Sequence, residues 1–214
     1  MPGDNEWTDC RRTFASSYDP LERMQKLREL FFAGSGALGQ QPLALVRQSA
    51  ATQGRYDYPE HARWEHGGVV FITLNAPGPY NNADAYPQEH SQRLAAMLDW
   101  IARGFRHAQG RGAKAVVVAM HANPWQSPPR PRRGFREVLA ALSRESRAFD
   151  GAVLLLHGDT HHFRVDQPLR TDGSADSVPN LTRVEVFGYP WMNWVRVRVI
   201  EENGRVRFEA TPGS

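Results

Sequence analysis

Ala152-Val153-Leu154-Leu155-Leu156-His157-Gly158-Asp159-Thr160-His161-His162 decides the reading of this chain. Residues 153–156 form a continuous apolar run, the pattern of a strand buried on both faces. The run ends abruptly in imidazoles and a carboxylate gathered around a glycine. A strand fixes such groups in space, and the glycine lets the backbone turn close to an ion, so the segment has the makings of a divalent-metal site. The competing reading of the same residues is a His-rich surface turn.

A second segment shifts the balance. Residues 115–119 are again an apolar strand, followed by His121 and then Asn123-Pro124. In an α/β sheet two such strands lie side by side, and ligands bind in the crevice at their carboxyl ends. One histidine after a strand is usually an ordinary loop or core residue. Two at equivalent places, with Asp159 beside one of them, favour a shared metal centre.

Outward from these strands the chain alternates helix and strand. Asp19-Pro20 starts a helix carrying Leu21, Met24, Leu27, Leu30 and Phe31 at helical spacing, which Gly34-Ser35-Gly36 ends. Residues 34–62 lack periodicity and read as a long excursion with little regular structure. A strand is predicted over 69–74 and a polar loop with Asn81-Asn82 over 75–87. A long helix follows from Gln88 to about Ala108, with Leu94, Met97, Leu98, Ile101 and Phe105 as its apolar stripe. Another runs from about Gly134 to Phe149, with Phe135, Val138, Leu139 and Leu142 on one face. Residues 181–187, 193–200 and 206–209 alternate in the manner of exposed antiparallel strands, and Asn203-Gly204 is a hairpin turn. The whole predicts a mixed-sheet α/β layered fold in a single domain, 1–214.

Composition narrows the function classes. The chain has 214 residues, 41% hydrophobic and 23% charged, ordinary values for a globular protein with a sizeable core. Its net charge of +3 is too small to indicate nucleic acid. The densest basic group, Arg130, Arg132 and Arg133, lies in a proline-rich loop. It reads as solvated, with recognition of an anionic substrate as the alternative. Cys10 is the only cysteine, so neither an intrachain disulfide nor a zinc site built on several thiolates is available. No apolar run approaches a membrane span and no signal peptide stands at the start, so compartment stays open.

Three short motifs together resemble the calcineurin-like metallophosphoesterases, in a divergent bacterial branch. Gly158-Asp159-Thr160-His161 looks like that family's final Gly-His-x-His motif, with Asp159 at the first His. His121 in Met-His-Ala-Asn-Pro resembles its isolated His. Gly3-Asp4-Asn5-Glu6 looks like its Gly-Asn-His-Asp/Glu motif, with Asp4 at the metal-binding Asn and Asn5 at the catalytic His. The resemblance runs from Met1 to about Phe187. It implies a layered αββα sandwich of mixed sheets, lacking its N-terminal strands. It also implies a phosphatase-type hydrolase in which metal-activated hydroxide attacks a phosphate ester of unknown class.

By the same resemblance Asp4, His121 and Asp159 ligate one divalent metal (Mn, Fe or Zn), and His161 is the surviving ligand of a second. With the catalytic His replaced by Asn5, His157 or His162 is left to supply the leaving-group proton. The family's first two motifs, carrying the metal-bridging carboxylate, are absent because the chain opens at the third. Each missing βαβ segment would occupy on the order of 30 residues. The expectation is a truncated gene product, or a chain begun at an internal methionine, that holds one ion rather than two and hydrolyses little. The alternatives are a non-catalytic relative serving as a binding or single-metal structural module, and an unrelated zinc hydrolase built on His157, Asp159 and His161.

Overall fold

The two apolar strands lie in register at the centre of a seven-stranded mixed sheet. The structure is a computed structural model in which residues 1–15, 17–126, 133–169, 178–191 and 193–213 are described. In sequence the sheet uses β1 (Val46–Arg47), β2 (Ala62–His66), β3 (Val69–Thr73), β4 (Ala115–Ala119), β5 (Ala152–His157), β6 (Arg164–Asp166) and β7 (Leu181–Glu185). Their spatial order is β1-β2-β3-β4-β5-β7-β6. Strands β3, β4, β5 and β7 are parallel; β2 and β6 run antiparallel to them at the two sides, and β1 pairs antiparallel with β2.

Parallel neighbours require crossovers, and the helices supply them. Helix α1 (Pro20–Phe31) and the single turn α2 (Gln48–Ala51) precede the parallel strands. The crossover helices α3 (Pro87–Gly110) and α4 (Arg136–Ala148) link β3 to β4 and β4 to β5. Met97, Trp100, Ile101 and Phe105 of α3 join Val138, Ala141 and Leu142 of α4 over Val70, Ile72, Val116, Val118 and Leu155. The opposite face, with Val69, Val117, Leu154 and Val184, is covered by a hairpin of β8 (Val195–Glu202) and β9 (Arg205–Pro212). Its turn is the expected Asn203-Gly204, with φ of 52° and 75°, as a two-residue type I′ turn demands.

The expected α/β class is present: a helical layer, a mixed sheet and a smaller second sheet, which among the described residues is that hairpin. Several local expectations change. The segment read as an irregular excursion contains β1, α2 and the approach to β2. Strands β2 and β3 form a tight hairpin over Gly67-Gly68, both at positive φ. Residues 181–185 are an internal parallel strand rather than an exposed antiparallel one, and Arg183 and Glu185 are buried in it. Helix α1 does start at Asp19, whose carboxylate accepts from the Leu21 N–H at 2.9 Å. Of its apolar stripe, however, Met24 is buried while Leu21, Leu30 and Phe31 are exposed. Arg130 and Arg132 lie outside the described residues, and Arg133 pairs with Asp84. Among the described residues no helix is long and apolar enough to cross a membrane.

Candidate metal centre

The ladder between β4 and β5 continues past their ends. Met120 N–H donates to the Leu156 carbonyl at 3.0 Å and Gly158 N–H to that of His121 at 2.9 Å. This holds His121 and Asp159 side by side at the carboxyl edge of the sheet. The third group comes from the first turn of the chain. The Asp4 carbonyl accepts from the N–H groups of Trp7 and Asp9 at 3.1 and 2.9 Å. Trp7 is fully buried, with the Arg93 guanidinium 5.4 Å from its ring centre, and the Thr8 hydroxyl donates to the Gly78 carbonyl at 3.0 Å.

Asp4, His121 and Asp159 thereby meet, each offering one ligand atom, all within 4.8 Å of one another. His121 Nε2 stands 2.9 Å from Asp4 Oδ1 and 3.8 Å from Asp159 Oδ1. Two donors at bonds of about 2.0–2.2 Å from one ion stand roughly 3–4.4 Å apart, so these side chains need small adjustments to share one. The electrostatics favour a cation. Burial, and next the charge of Asp4, push the Asp159 carboxyl above its usual range. Burial also acts to raise Asp4, but the hydrogen bond and charge of His121 outweigh it and hold Asp4 low. Burial acts to lower His121, yet its hydrogen bond to Asp4 and the charges of Asp4, Asp159 and Glu6 drive it up. Two facing carboxylates with an imidazole between them are the arrangement that a divalent ion relieves.

The loop after β3 closes the far side. A Cβ at Gly78 would come within 2.9–3.0 Å of both Asp159 oxygens and of Asp4 Oδ2. This backbone therefore approaches the carboxylates more closely than any other residue allows. Behind it, Tyr80, Asn81 and Asn82 are all at positive φ, between 53° and 61°. Non-glycine residues hold that conformation only where their surroundings enforce it. Fully buried Arg93 does so, donating to the Asn75 carbonyl (2.8 Å), Asn81 Oδ1 (2.5 Å) and the Asn81 carbonyl (3.0 Å), while Glu89 balances its charge. On the other side, Asn123 N–H donates to Asp159 Oδ2 at 3.4 Å and its amide to the Thr160 hydroxyl at 2.8 Å. Thr160 in turn donates to buried Glu185.

The remaining expected site residues lie elsewhere. His161 turns its ring over Gly188, and its Nδ1 donates to the Tyr189 carbonyl at 2.5 Å. It stays outside the three-residue group. His157 is buried on the helix-covered face, its ring 6.1 Å from that of Trp125, and burial lowers its pKa to about 4. A neutral, enclosed imidazole is not placed to give a proton at Asp159. The zinc set of His157, Asp159 and His161 is likewise not assembled. His162 and Asn5 are exposed. Among the described residues Asp4–His121–Asp159 is the one group of three potential ligands.

No family model matches this chain, and no curated protein matches it.

The parts that sequence reading missed are the supporting ones: Gly78, Arg93, Thr160 and Glu185. Pro77-Gly78-Pro79 before Asn81-Asn82 was the available signal, since such residues cluster where backbone must take uncommon conformations. An arginine on an otherwise apolar helix face was another. Glu185 gave none, because a charged residue late in a strand reads as solvent-facing.

Proposed function

We propose that the chain is a phosphoesterase-type hydrolase domain of the calcineurin-like kind, working with one divalent ion, Mn, Fe or Zn. The observation that carries this reading is the convergence of Asp4, His121 and Asp159 from three distant segments at the carboxyl ends of parallel strands. Two oxygen donors and one imidazole suit those metals. The motif order supports the substrate class, a phosphate ester.

A divalent ion held there would supply Lewis acidity toward a phosphoryl oxygen and acidify a water in its coordination sphere. The chain's own residues do the rest. Asp4 and Asp159 offset the ion's charge, and Asn123 orients the Asp159 carboxylate. Gly78, having no side chain, adds nothing over the carboxylate oxygens on its side of the centre. A second reading, a single-ion binding or structural module, is favoured by one observation: His161 is engaged with Tyr189 instead of joining the group.

The test is Mn and Zn content by elemental analysis, with Mn-dependent binding of inorganic phosphate by calorimetry. The expected result is about one ion per chain, lost in His121→Ala and Asp159→Asn, and phosphate binding only with the ion present. Ion binding without any phosphate binding would favour the structural module. Equal metal content in both variants and the native chain would remove the centre altogether.

A further inference from the structure

A cavity of about 660 Å³ opens beside His121. Apolar side chains form most of its wall, Leu27 and Phe31 from α1, Leu38 and Leu43 from the segment after it, and Trp64 from β2, with Asn5, Glu6 and Thr73 among the polar ones. The volume falls within the range of small-molecule sites, roughly 300–1,000 Å³. The charged side chains that border it, besides His121, are Glu6, Arg47 and Glu60, and Glu6 accepts from the Gly3 N–H at 2.7 Å. Glu60 is held by Arg28 and Asn75, and Arg47 by the carbonyls of Pro59 and Gly36. Arg47 Nε is left without a partner, while along the leucine and aromatic wall recognition falls to apolar contact.

Two further observations point to an occupant. Helix α1 carries a stripe fit for a core, yet it turns Leu27 and Phe31 to this space, and Phe31 is 47% exposed. At the rim Leu38 and Leu43 are 71% and 41% exposed. Large apolar side chains grouped around a concave opening mark a binding surface. His121 belongs both to this wall and to the ligand group, so the cavity borders the ion position through that residue, while Asp4 and Asp159 stand outside its lining.

We infer that the cavity receives the aliphatic part of the substrate, a phosphate ester carrying an alkyl chain whose phosphoryl end lies at the Asp4–His121–Asp159 centre. This rests on the proposed phosphoesterase reading. Each methylene taken from water into the cavity contributes about 0.8 kcal/mol, which corresponds to about fourfold in affinity.

The experiment is calorimetric titration of the full chain with n-alkyl phosphonates from methyl to octyl, with and without Mn. The slope against chain length reads the cavity, and the Mn-dependent affinity of methylphosphonate reads the ion centre. Affinity is expected to rise up to about fourfold per methylene. The slope should flatten in Leu38→Gln/Leu43→Gln, changes at exposed positions that leave the core untouched. A steep slope indifferent to Mn would keep the alkyl site and remove the phosphoesterase reading. Mn-dependent methylphosphonate binding with no slope would do the opposite and overturn the inference. So would concentration-dependent dimerisation abolished by the double variant, since a second copy would then be what covers the rim.

Discussion

His121 Nε2 and Asp4 Oδ1 meet at 2.9 Å although 117 positions separate them in sequence. Nothing local brings them together. The contact exists because the opening turn buries Trp7 beneath Arg93 while β4 delivers His121 to the sheet edge. The candidate centre therefore reports on the docking of the chain's first residues as well as on its own chemistry.

Removal of a ligand should be visible directly. His121→Ala is expected to weaken Mn binding by at least about 100-fold, and Thr160→Val, which breaks the Asn123–Thr160–Glu185 support, by about 10-fold. Exposed His66 is the control, and His66→Ala should change nothing. His90 is a poorer control, because its Nδ1 lies 2.9 Å from the Asn81 carbonyl in the loop behind Gly78. Since the folded chain raises the His121 pKa, metal binding should already decline as pH falls through a value above 6.5, in competition titrations followed by calorimetry. Indifference of Thr160→Val would show that the loop needs no such support.

Gly78→Ala should separate the site from the fold. The new methyl group meets three carboxylate oxygens at 2.9–3.0 Å and must displace them. Ion affinity is expected to fall by more than about 10-fold, a loss of the size known for disturbed supporting shells, with little change in melting temperature. Native-like ion affinity in this variant would mean that the loop stands farther from the carboxylates than described.

Arg93→Ala should act on stability first. It takes the guanidinium donors from Asn81 in the left-handed turn and leaves Glu89 without its cationic partner, for an expected loss of about 3–5 kcal/mol in urea unfolding. Ion affinity should fall with it. A loss below about 1 kcal/mol would contradict the role given to this arginine.

Acid should destabilise the chain through its buried imidazoles. His61 and His157 are pushed by burial from 6.5 down to about 4. Between those values the unfolded chain binds protons that the folded chain refuses, so their contribution is full above 6.5 and disappears as pH falls toward 4. Each shift corresponds to about 3 kcal/mol. Unfolding free energies measured from pH 7 to pH 4 should fall steeply, and less steeply in His61→Gln. A profile flat over that window would contradict both assignments.

Turnover should be slow. A two-ion centre clamps the attacking and leaving oxygens from both sides at once. Here one group of three ligands is assembled among the described residues, and His161 is tied to Tyr189. Hydrolysis of bis(4-nitrophenyl) phosphate with added Mn is expected to be barely above background. Robust Mn-dependent turnover that His161→Ala abolishes would show that His161 leaves Tyr189 to serve a second ion.

The elements that were legible beforehand are those with one dominant period. Strands β4 and β5 are unbroken apolar runs, α3 and α4 keep clear stripes, and Asn203-Gly204 names its own turn. Strand β7 misled because Arg183 and Glu185 interrupt its apolar pattern. Tertiary partners (Asp166 for Arg183, Thr160 for Glu185) make their burial tolerable, and partners do not show in a single sequence. Strands β1 and β6, of two and three residues, are too short for any period. At the site, Asp4, His121 and Asp159 were readable from strand ends and motif order. His161 was not, because its direction depends on a positive φ of 63° and on where Tyr189 comes to rest.

The brevity of β1 and β6 bears on how the molecule behaves in a crowd. The outermost strands of the large sheet offer a neighbouring chain two or three residues of ladder, too little to template strand addition. The hairpin is different, since β8 and β9 are eight residues each and, among the described residues, pair with each other alone. What guards those longer edges is charge, from Arg196, Arg198, Arg207 and Glu209 along the strands. Charge is a guard that electrolyte weakens, because at 1 M salt its reach shrinks to about 3 Å. Concentrated salt solutions are therefore where self-association should begin, and the hairpin is the part of the molecule where it should start.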